Sequence, residues 1–405
     1  MISLFKEVNS LLLIRGLRGF GYGFLNTVLG FYLAEQGYSL LQIGIIVTAA
    51  GISSAVLIVM TGVLSDKTNN RKFFLILSAL LMATLGAIYS FTTFFPLLLL
   101  GAILGGAGSA GGGGPGGGPF GPVQQALLAG KVSPQKRNSV FSINALVGTV
   151  LFSAGAAAAA LPETFAFSGF NKMLGYQLLF LSFMVLGIVT AFLSYLVADV
   201  KAVKQKTKRQ GTRLIGKFTL TATVNGFAFG LIPLPLITLW FSIAFGASAF
   251  YISLVISAST LVSAFSYLLA PALAKRLGAV NMIVSTRIVS VTLLLLTAIA
   301  PLFIVASIFY IARTIFLSVG MPIRQSYMMG VIGAEERATA VGVSSGVGWG
   351  LPYAASPVIS GFVMQEVSSS LPLYLAAVLQ AANSALYYWF FHGLKPPEEN
   401  LESNS

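Results

Sequence analysis

The chain has 405 residues, of which 56% are hydrophobic and only 9% charged; 24 lysines and arginines stand against 11 acids, for a formal net charge of +13. Soluble domains carry about 25% charged residues, so this set cannot coat a water-facing surface of such size, and the mean hydropathy of +0.87 leaves the lipid bilayer as the solvent. The composition excludes a soluble enzyme, a nucleic-acid-binding domain and a disordered chain. With no cysteine and one histidine, His392, it also excludes disulfides, thiolate metal sites and any site built from two imidazoles of one chain.

A spanning helix needs about 20 mostly apolar residues. Such stretches occur twelve times, at about 9–34, 41–64, 73–92, 96–127, 139–161, 174–198, 218–243, 248–272, 281–300, 302–328, 338–364 and 371–393. The N-terminal stretch lacks the short apolar core and cleavage site of a signal peptide, so the first span is expected to persist. In it Arg18, Tyr22 and Asn26 recur every four residues and form one polar stripe, while Gly16, Gly19 and Gly23 run opposite. Small residues at that spacing permit close helix contact. One face is therefore expected on a neighbour and the other on a cavity, with Arg15 nearer the interface and snorkelling. Glu35 ends this span; it reads either as an interfacial helix end or as a proton site.

Between the second and third spans the chain reads Gly62-Val63-Leu64-Ser65-Asp66-Lys67-Thr68-Asn69-Asn70-Arg71-Lys72. Gly62 allows close approach of two helices, and Asp66 can face a helix dipole or pair with an arginine such as Arg137. The alternative is that these charges only end helices.

The fourth span contains Gly105-Gly106-Ala107-Gly108-Ser109-Ala110, then Gly111 to Gly114, Pro115, Gly116 to Gly118 and Pro119. Glycine and proline weaken a helix, and non-helical backbone at membrane depth survives only when buried or lining water. A broken, cavity-lining helix and close small-residue packing are the two readings. No strand precedes the run and no Ser or Thr follows Lys131 directly, so it is not a nucleotide loop. Asn144 in the fifth span and Asn225 in the seventh are further polar positions. Pro233, Pro235, Pro352 and Pro357 mark expected kinks.

Charge inside a membrane is costly and tends to face a cavity. Arg313 lies about eleven residues into the tenth span, near mid-bilayer, and Arg324 three turns further on the same face. Each reads as a substrate-path residue or as a structural contact, and Arg324 also as a snorkelling side chain. Gln380 and Asn383 in the twelfth span are weaker cavity positions. No acid sits clearly at mid-bilayer, and no carboxylate cluster offers a metal site.

Lysine and arginine set orientation. With the N-terminus in the cytoplasm, the inner connections hold Lys67, Arg71, Lys72, Lys131, Lys136, Arg137, Lys275, Arg276, Arg337 and the basic segment 200–217, and the outer ones only Lys172. Both termini are then cytoplasmic, and the basic surface faces anionic inner-leaflet lipid.

The segment 200–217 divides the spans six and six. Laid on 322–348, residues 122–148 pair Pro122 with Pro322, Gln125 with Gln325, Gly130 with Gly330, Arg137 with Arg337 and Gly148 with Gly348. Gly19-Phe20-Gly21-Tyr22-Gly23 likewise matches Gly226-Phe227-Ala228-Phe229-Gly230. This is the pattern of a parallel duplication. The organisation expected is a six-helix bundle at 1–199, a cytoplasmic linker at 200–217, a second bundle at 218–394 and a disordered cytoplasmic tail at 395–405.

The loop at 62–72 resembles the G-x-L-a-D-r-x-G-r-r/k loop of the major facilitator superfamily, departing at Asn69 and Asn70, and a degenerate copy follows the eighth span at 271–278. The resemblance covers the whole chain. It implies an all-α polytopic membrane protein, twelve transmembrane helices in two pseudo-symmetric six-helix bundles, with Gly62, Asp66, Lys67, Arg71 and Arg137 as a conformational latch. It implies a secondary transporter that moves a small molecule by alternating access, without a cofactor, as a monomer in the plasma membrane and with no nucleic-acid partner. Embedded arginines without embedded acids lean toward an anionic or hydrogen-bond-accepting organic substrate. The lead positions are Arg18, Tyr22, Asn26, Asn144, Asn225, Arg313 and Arg324. The alternatives are a proton-coupled exporter of hydrophobic drugs using Glu35, although no proline follows Gly148 or Gly155 as in many drug antiporters of the family, and a non-transporting scaffold or receptor.

Overall fold

The computed structural model describes residues 2–68, 70–106, 120–132, 137–198, 212–266, 276–332 and 342–394; side chains are described for all of these but 2–7, 62, 63, 66, 122, 129, 137–139, 212, 322, 329 and 330. The glycine run 107–119, most of the basic linker, the degenerate loop copy at 271–275 and the tail 395–405 lie outside them.

Every predicted span is met by helix. The first three are α1 (Ile2–Glu35), α2 (Leu40–Thr68) and α3 (Arg71–Phe91). The fourth is split into α4 (Phe95–Gly105) and α5 (Gly121–Lys131), and the fifth is α6 (Arg137–Ala158). A short helix, α7 (Leu161–Phe167), precedes the sixth span, α8 (Lys172–Leu196). The seventh is α9 (Thr212–Gly230) with α10 (Leu234–Phe245), then α11 (Ala249–Ser266), α12 (Ala279–Ile299) and α13 (Phe303–Val331). The eleventh opens as a π-helix, Gly342–Gly350, and continues as α14 (Leu351–Glu366); α15 (Leu371–Phe391) is the last. Among the described residues seven helices are long and apolar enough to cross a membrane, and α9 with α10 make an eighth across a 42° bend. α1 and α15, at 34 and 21 residues, carry more polar groups.

Large apolar side chains stand outward, with Val59, Phe192, Ile304, Val378 and Trp389 each more than half exposed. Patches of that kind are unstable in water at roughly 25 cal/mol per Å² and match a lipid-facing surface.

The chain's departures from the loop motif and from straight helices have local causes. Asn70, where the family pattern has a basic residue, caps α3: its Oδ1 accepts from the Phe73 N–H at 3.1 Å, a bond only a short polar side chain makes well. α4 stops where the glycines begin, with Gly106 at φ 49° as its left-handed cap. In the seventh span Pro233 and Pro235 start a new helix after the bend, as expected of residues lacking an N–H. In α14, Pro357 sits inside the helix, and the next N–H, that of Val358, donates to Thr48 Oγ1 of α2 at 2.9 Å.

The glycine face of α1 seats on α6. A Cβ on Gly19 would lie 2.6 Å from the Gly148 carbonyl oxygen, on Gly23 2.1 Å from that of Phe152, and on Gly155 1.9 Å from that of Phe20. The equivalent glycines of α9 do the same: Gly226 against Trp349 and Gly230 against the Tyr353 carbonyl, at 2.3 and 2.2 Å. The repeat seen in the sequence is thus the same helix contact made twice. Gly155→Ala is expected to cost about 1–3 kcal/mol as an overpacked core position, read as a lower melting temperature of the purified protein; an unchanged melting temperature would contradict this packing.

Between the two halves, α2 packs along α14. A Cβ on Gly44 would fall 2.7 Å from the Pro357 carbonyl oxygen and on Gly361 2.3 Å from that of Leu40. Gly30 meets Pro235 in the same way at 2.3 Å, and Ser153 Oγ of α6 donates to the Ser257 carbonyl of α11 at 2.8 Å. The approaches at Gly30, Gly44 and Gly361 lie toward the end where α1 meets α2, away from the end that carries both termini.

Candidate functional site

Where the break of the seventh span and Pro357 of the eleventh face α1 and α2 lies a small cavity, lined among others by Asn26, Gly51, Pro233, Tyr353 and Pro357. Of the polar stripe on α1, Asn26 reaches this cavity. Arg18 and Tyr22 do not line it and turn into their own half, which corrects the expectation of one continuous cavity-facing stripe. The reason is packing: the Arg18 guanidinium lies 4.4 Å from the Phe120 ring and 5.4 Å from that of Tyr22, within cation–π range. Its Nη1 reaches the Ser78 carbonyl of α3 at a long 3.5 Å. The Tyr22 hydroxyl donates to the Gly105 carbonyl at 3.4 Å, an oxygen at the early end of α4. Arg15 does not snorkel. It is 1% exposed, held where α1 crosses Gly148.

The second half holds a denser group of cations. Arg313 is 4% exposed, and its guanidinium lies 5.8 Å from the Phe229 ring, with Arg287 of α12 at 5.5 Å from the same ring. Arg287 Nη1 donates to Asn225 Oδ1 at 2.9 Å. Arg313 and Arg324 both lie in electrostatic range of Arg287, and the half-buried Arg324 lies in that of Tyr387. Tyr353 lines the cavity, and Tyr310, whose ring packs on that of Phe241 with centroids 5.5 Å apart, lies in electrostatic range of Arg313 and of Tyr353.

Buried polar groups are normally hydrogen-bonded. Here Nε and Nη2 of both Arg18 and Arg313 have no partner among the described residues, and neither has either amide atom of Gln380 or Oδ1 of Asn383. No ion pair involves these arginines among the described residues. An unpaired buried charge is among the most costly features a fold can hold.

The other predicted positions fall elsewhere. Asn144 accepts from Gln124 Nε2 at 3.0 Å, and the same nitrogen donates to the Leu11 carbonyl, so Asn144 ties helices of the first half together. Glu35 is exposed and pairs with Lys172, which also holds Glu163 at 2.8 Å; it does not line the cavity. Lys67 is exposed and Arg71 half-buried; the side chains of Gly62, Asp66 and Arg137, the rest of the expected latch, lie outside the described ones. Sequence reading missed Arg287. It lies two turns into α12, which begins at Ala279.

A family model described as the Major Facilitator Superfamily matches residues 11–222 and again 218–405. No curated protein matches the sequence. Among solved structures, a mutant of the nucleoside transporter NupG superposes with a TM-score of 0.76 at 13% identity, over 95% of this chain and 99% of that one. A bacterial homologue of the human lysosomal transporter Spinster, inward-facing and occupied, gives 0.72 at 16%, over 94% and 95%. A D-xylose–proton symporter gives 0.72 at 13%, over 94% and 97%. At these identities the structures show the fold, and the twofold family match shows the lineage: the chain belongs to the major facilitator superfamily and is a multi-pass secondary transporter of small molecules.

Proposed function

We propose that this transporter carries small organic anions, and that Arg313, with Arg287, Asn225 and Arg324 beside it, forms the recognition site. The observation that carries the reading is the buried Arg313 guanidinium with two nitrogens unpartnered in a chain with no acid at mid-membrane. An anion would complete those bonds, and charge-assisted bonds are the strong ones. Asn26 and Tyr353 would serve the path from the cavity, and Arg18 and Tyr22 the facing half. The lysine and arginine distribution supports cytoplasmic termini, and in this reading the protein works as a monomer in the plasma membrane, with segment 200–217 as the linker against anionic lipid and 1–199 and 218–394 as the moving halves. The halves then meet near their outer end, so the arginine cluster lies on the cytoplasmic side of the closure. Asp66 with Lys67, Arg71 and Arg137 is proposed as the latch. The neighbours' nucleosides and xylose carry no charge to match these arginines, and we do not transfer them.

Uptake by the purified protein in liposomes tests the reading. Succinate and inorganic phosphate are expected to enter and xylose and tetramethylammonium to stay out; entry of the uncharged or cationic probe in place of the anions would contradict it. The drug-exporter reading rests on Glu35. Because Glu35 sits in an exposed ion pair, Glu35→Gln is expected to leave uptake within about twofold at every pH, since exposed pairs contribute about 0–1 kcal/mol. Loss of a proton-driven flux in that variant would restore the exporter.

A further inference from the structure

We infer that the anion is an aromatic carboxylate, and that Trp349, stacked on Tyr353, is the surface on which its flat ring lies. The inference rests on the anion reading above and names the substrate class that the same site takes.

Two of the three tryptophans have ordinary places. Trp240 is sealed inside the second half, where its Nε1 donates to Ser370 Oγ at 2.9 Å. Trp389, near the end of α15, is 69% exposed on the lipid-facing surface. Trp349 is neither. It is half-buried in the π-helix, and its ring stacks on that of Tyr353 with centroids 4.6 Å apart and planes 15° from parallel.

The eleventh span has two open stripes, and their spacing says where each faces. Val343, Val347 and Leu351 recur every four residues, all exposed and all apolar, as a lipid-facing stripe must be. Ser345, Trp349 and Tyr353 recur at the same interval two residues along and are exposed or half-buried. An offset of two residues turns them to the opposite side of the helix, roughly 200° away. Tyr353, at the end of that second stripe, lines the cavity between the halves. Trp349 therefore stands on the path, one turn from the cavity.

Register on α9 brings this pair level with the arginines. Gly226 seats against the Trp349 carbonyl and Gly230 against that of Tyr353. Phe229 lies between those two glycines, and the guanidiniums of Arg313 and Arg287 stand 5.8 and 5.5 Å from its ring. Tyr310, one turn from Arg313 on α13, lies in electrostatic range of both Arg313 and Tyr353. A ligand whose carboxylate meets Arg313 is thus at the height of the aromatic pair.

The neighbours select among the ligands that an indole face can hold. A cation is attracted to such a face, but Arg313 and Arg287 repel it. A saturated ring carries no π-face to match the indole. A planar ring extends the stack that Tyr353 begins, offset as aromatic pairs prefer, and its carboxylate supplies the bonds that Arg313 lacks among the described residues.

The test titrates the purified full-length protein by calorimetry with terephthalate and with trans-hexahydroterephthalate, which carries the same two carboxylates at nearly the same separation on a saturated ring. Terephthalate is expected to bind at least about threefold more tightly, within what an aromatic pair contributes. Trp349→Leu is expected to bring the two to parity. Trp349→Phe, which keeps a ring in place, is expected to retain most of the difference, and the melting temperature without ligand checks that each variant is folded. Equal affinity of the two compounds in the wild type overturns the aromatic class and leaves the anion reading standing; that comparison needs no variant to fold. A preference undiminished in folded Trp349→Leu overturns the role given to Trp349. If neither compound binds, and neither succinate nor inorganic phosphate does, the anion reading itself fails and this inference with it.

Discussion

Arg313→Gln is expected to lower anion uptake by about 10- to 100-fold, the loss that follows when charge-assisted bonds of about 1.5–3 kcal/mol disappear from a site. The side chain is buried beside Phe229, shares its ring with Arg287 and leaves two nitrogens unsatisfied. Glutamine keeps much of the length and some donor capacity, so packing changes little, but it cannot offer a charge. Because the wild-type charge has no counter-ion among the described residues, its removal should not destabilise the empty protein: the melting temperature without ligand is expected to hold or rise. That combination separates a ligand site from a structural arginine. A guanidinium that served only to bind backbone would give the opposite pair of results, lower stability with uptake intact.

Gly361→Leu is expected to abolish transport while the protein stays folded. Within each half, glycine contacts such as Gly23 on Phe152 hold helices that move together. The contact at Gly361 joins two halves that must part, and a Cβ there would sit 2.3 Å from the Leu40 carbonyl oxygen, closer than side chains approach such an atom. A leucine therefore excludes the closed arrangement of α2 and α14 and leaves the separated one available. The chain has no cysteine, so a single Val47→Cys reporter in the cavity lining reads the change. Labelling by a membrane-impermeant maleimide from the side opposite the termini should rise in the Gly361→Leu background. Unchanged transport with unchanged labelling would show that the contact between α2 and α14 is not a moving closure.

Much of this architecture was legible in the sequence because membrane helices must satisfy their own backbone and present an apolar surface. That double demand wrote the spans, the bend before Pro233 and the stop at Gly106 into local composition. The duplicated glycines of α1 and α9 could be read as close contacts because only a missing Cβ allows that spacing. The site was legible in part. Arg313 stood out because charge is rare at its depth, and the same signal, a charge within an apolar span, was present at Arg287. The direction each side chain takes was not readable. Arg18 and Tyr22 share the face of Asn26 along α1, yet aromatic neighbours on other helices, Phe120 and Phe183, draw them into their own half. Asn144 looked equivalent to Asn225, but its partner is an amide, Gln124, where that of Asn225 is a guanidinium. Those differences depend on which side chains meet across helices far apart in the chain, and a single sequence does not encode them locally.

The most direct test of the account is the melting temperature of the purified protein with a solute series that varies charge at similar size, since a ligand that binds only the folded form stabilises it in proportion to its affinity. Succinate and inorganic phosphate are expected to raise the melting temperature of the wild type and of Glu35→Gln, and to have no effect on Arg313→Gln. Equal stabilisation of wild type and Arg313→Gln by these anions, or stabilisation by xylose and not by them, would contradict it.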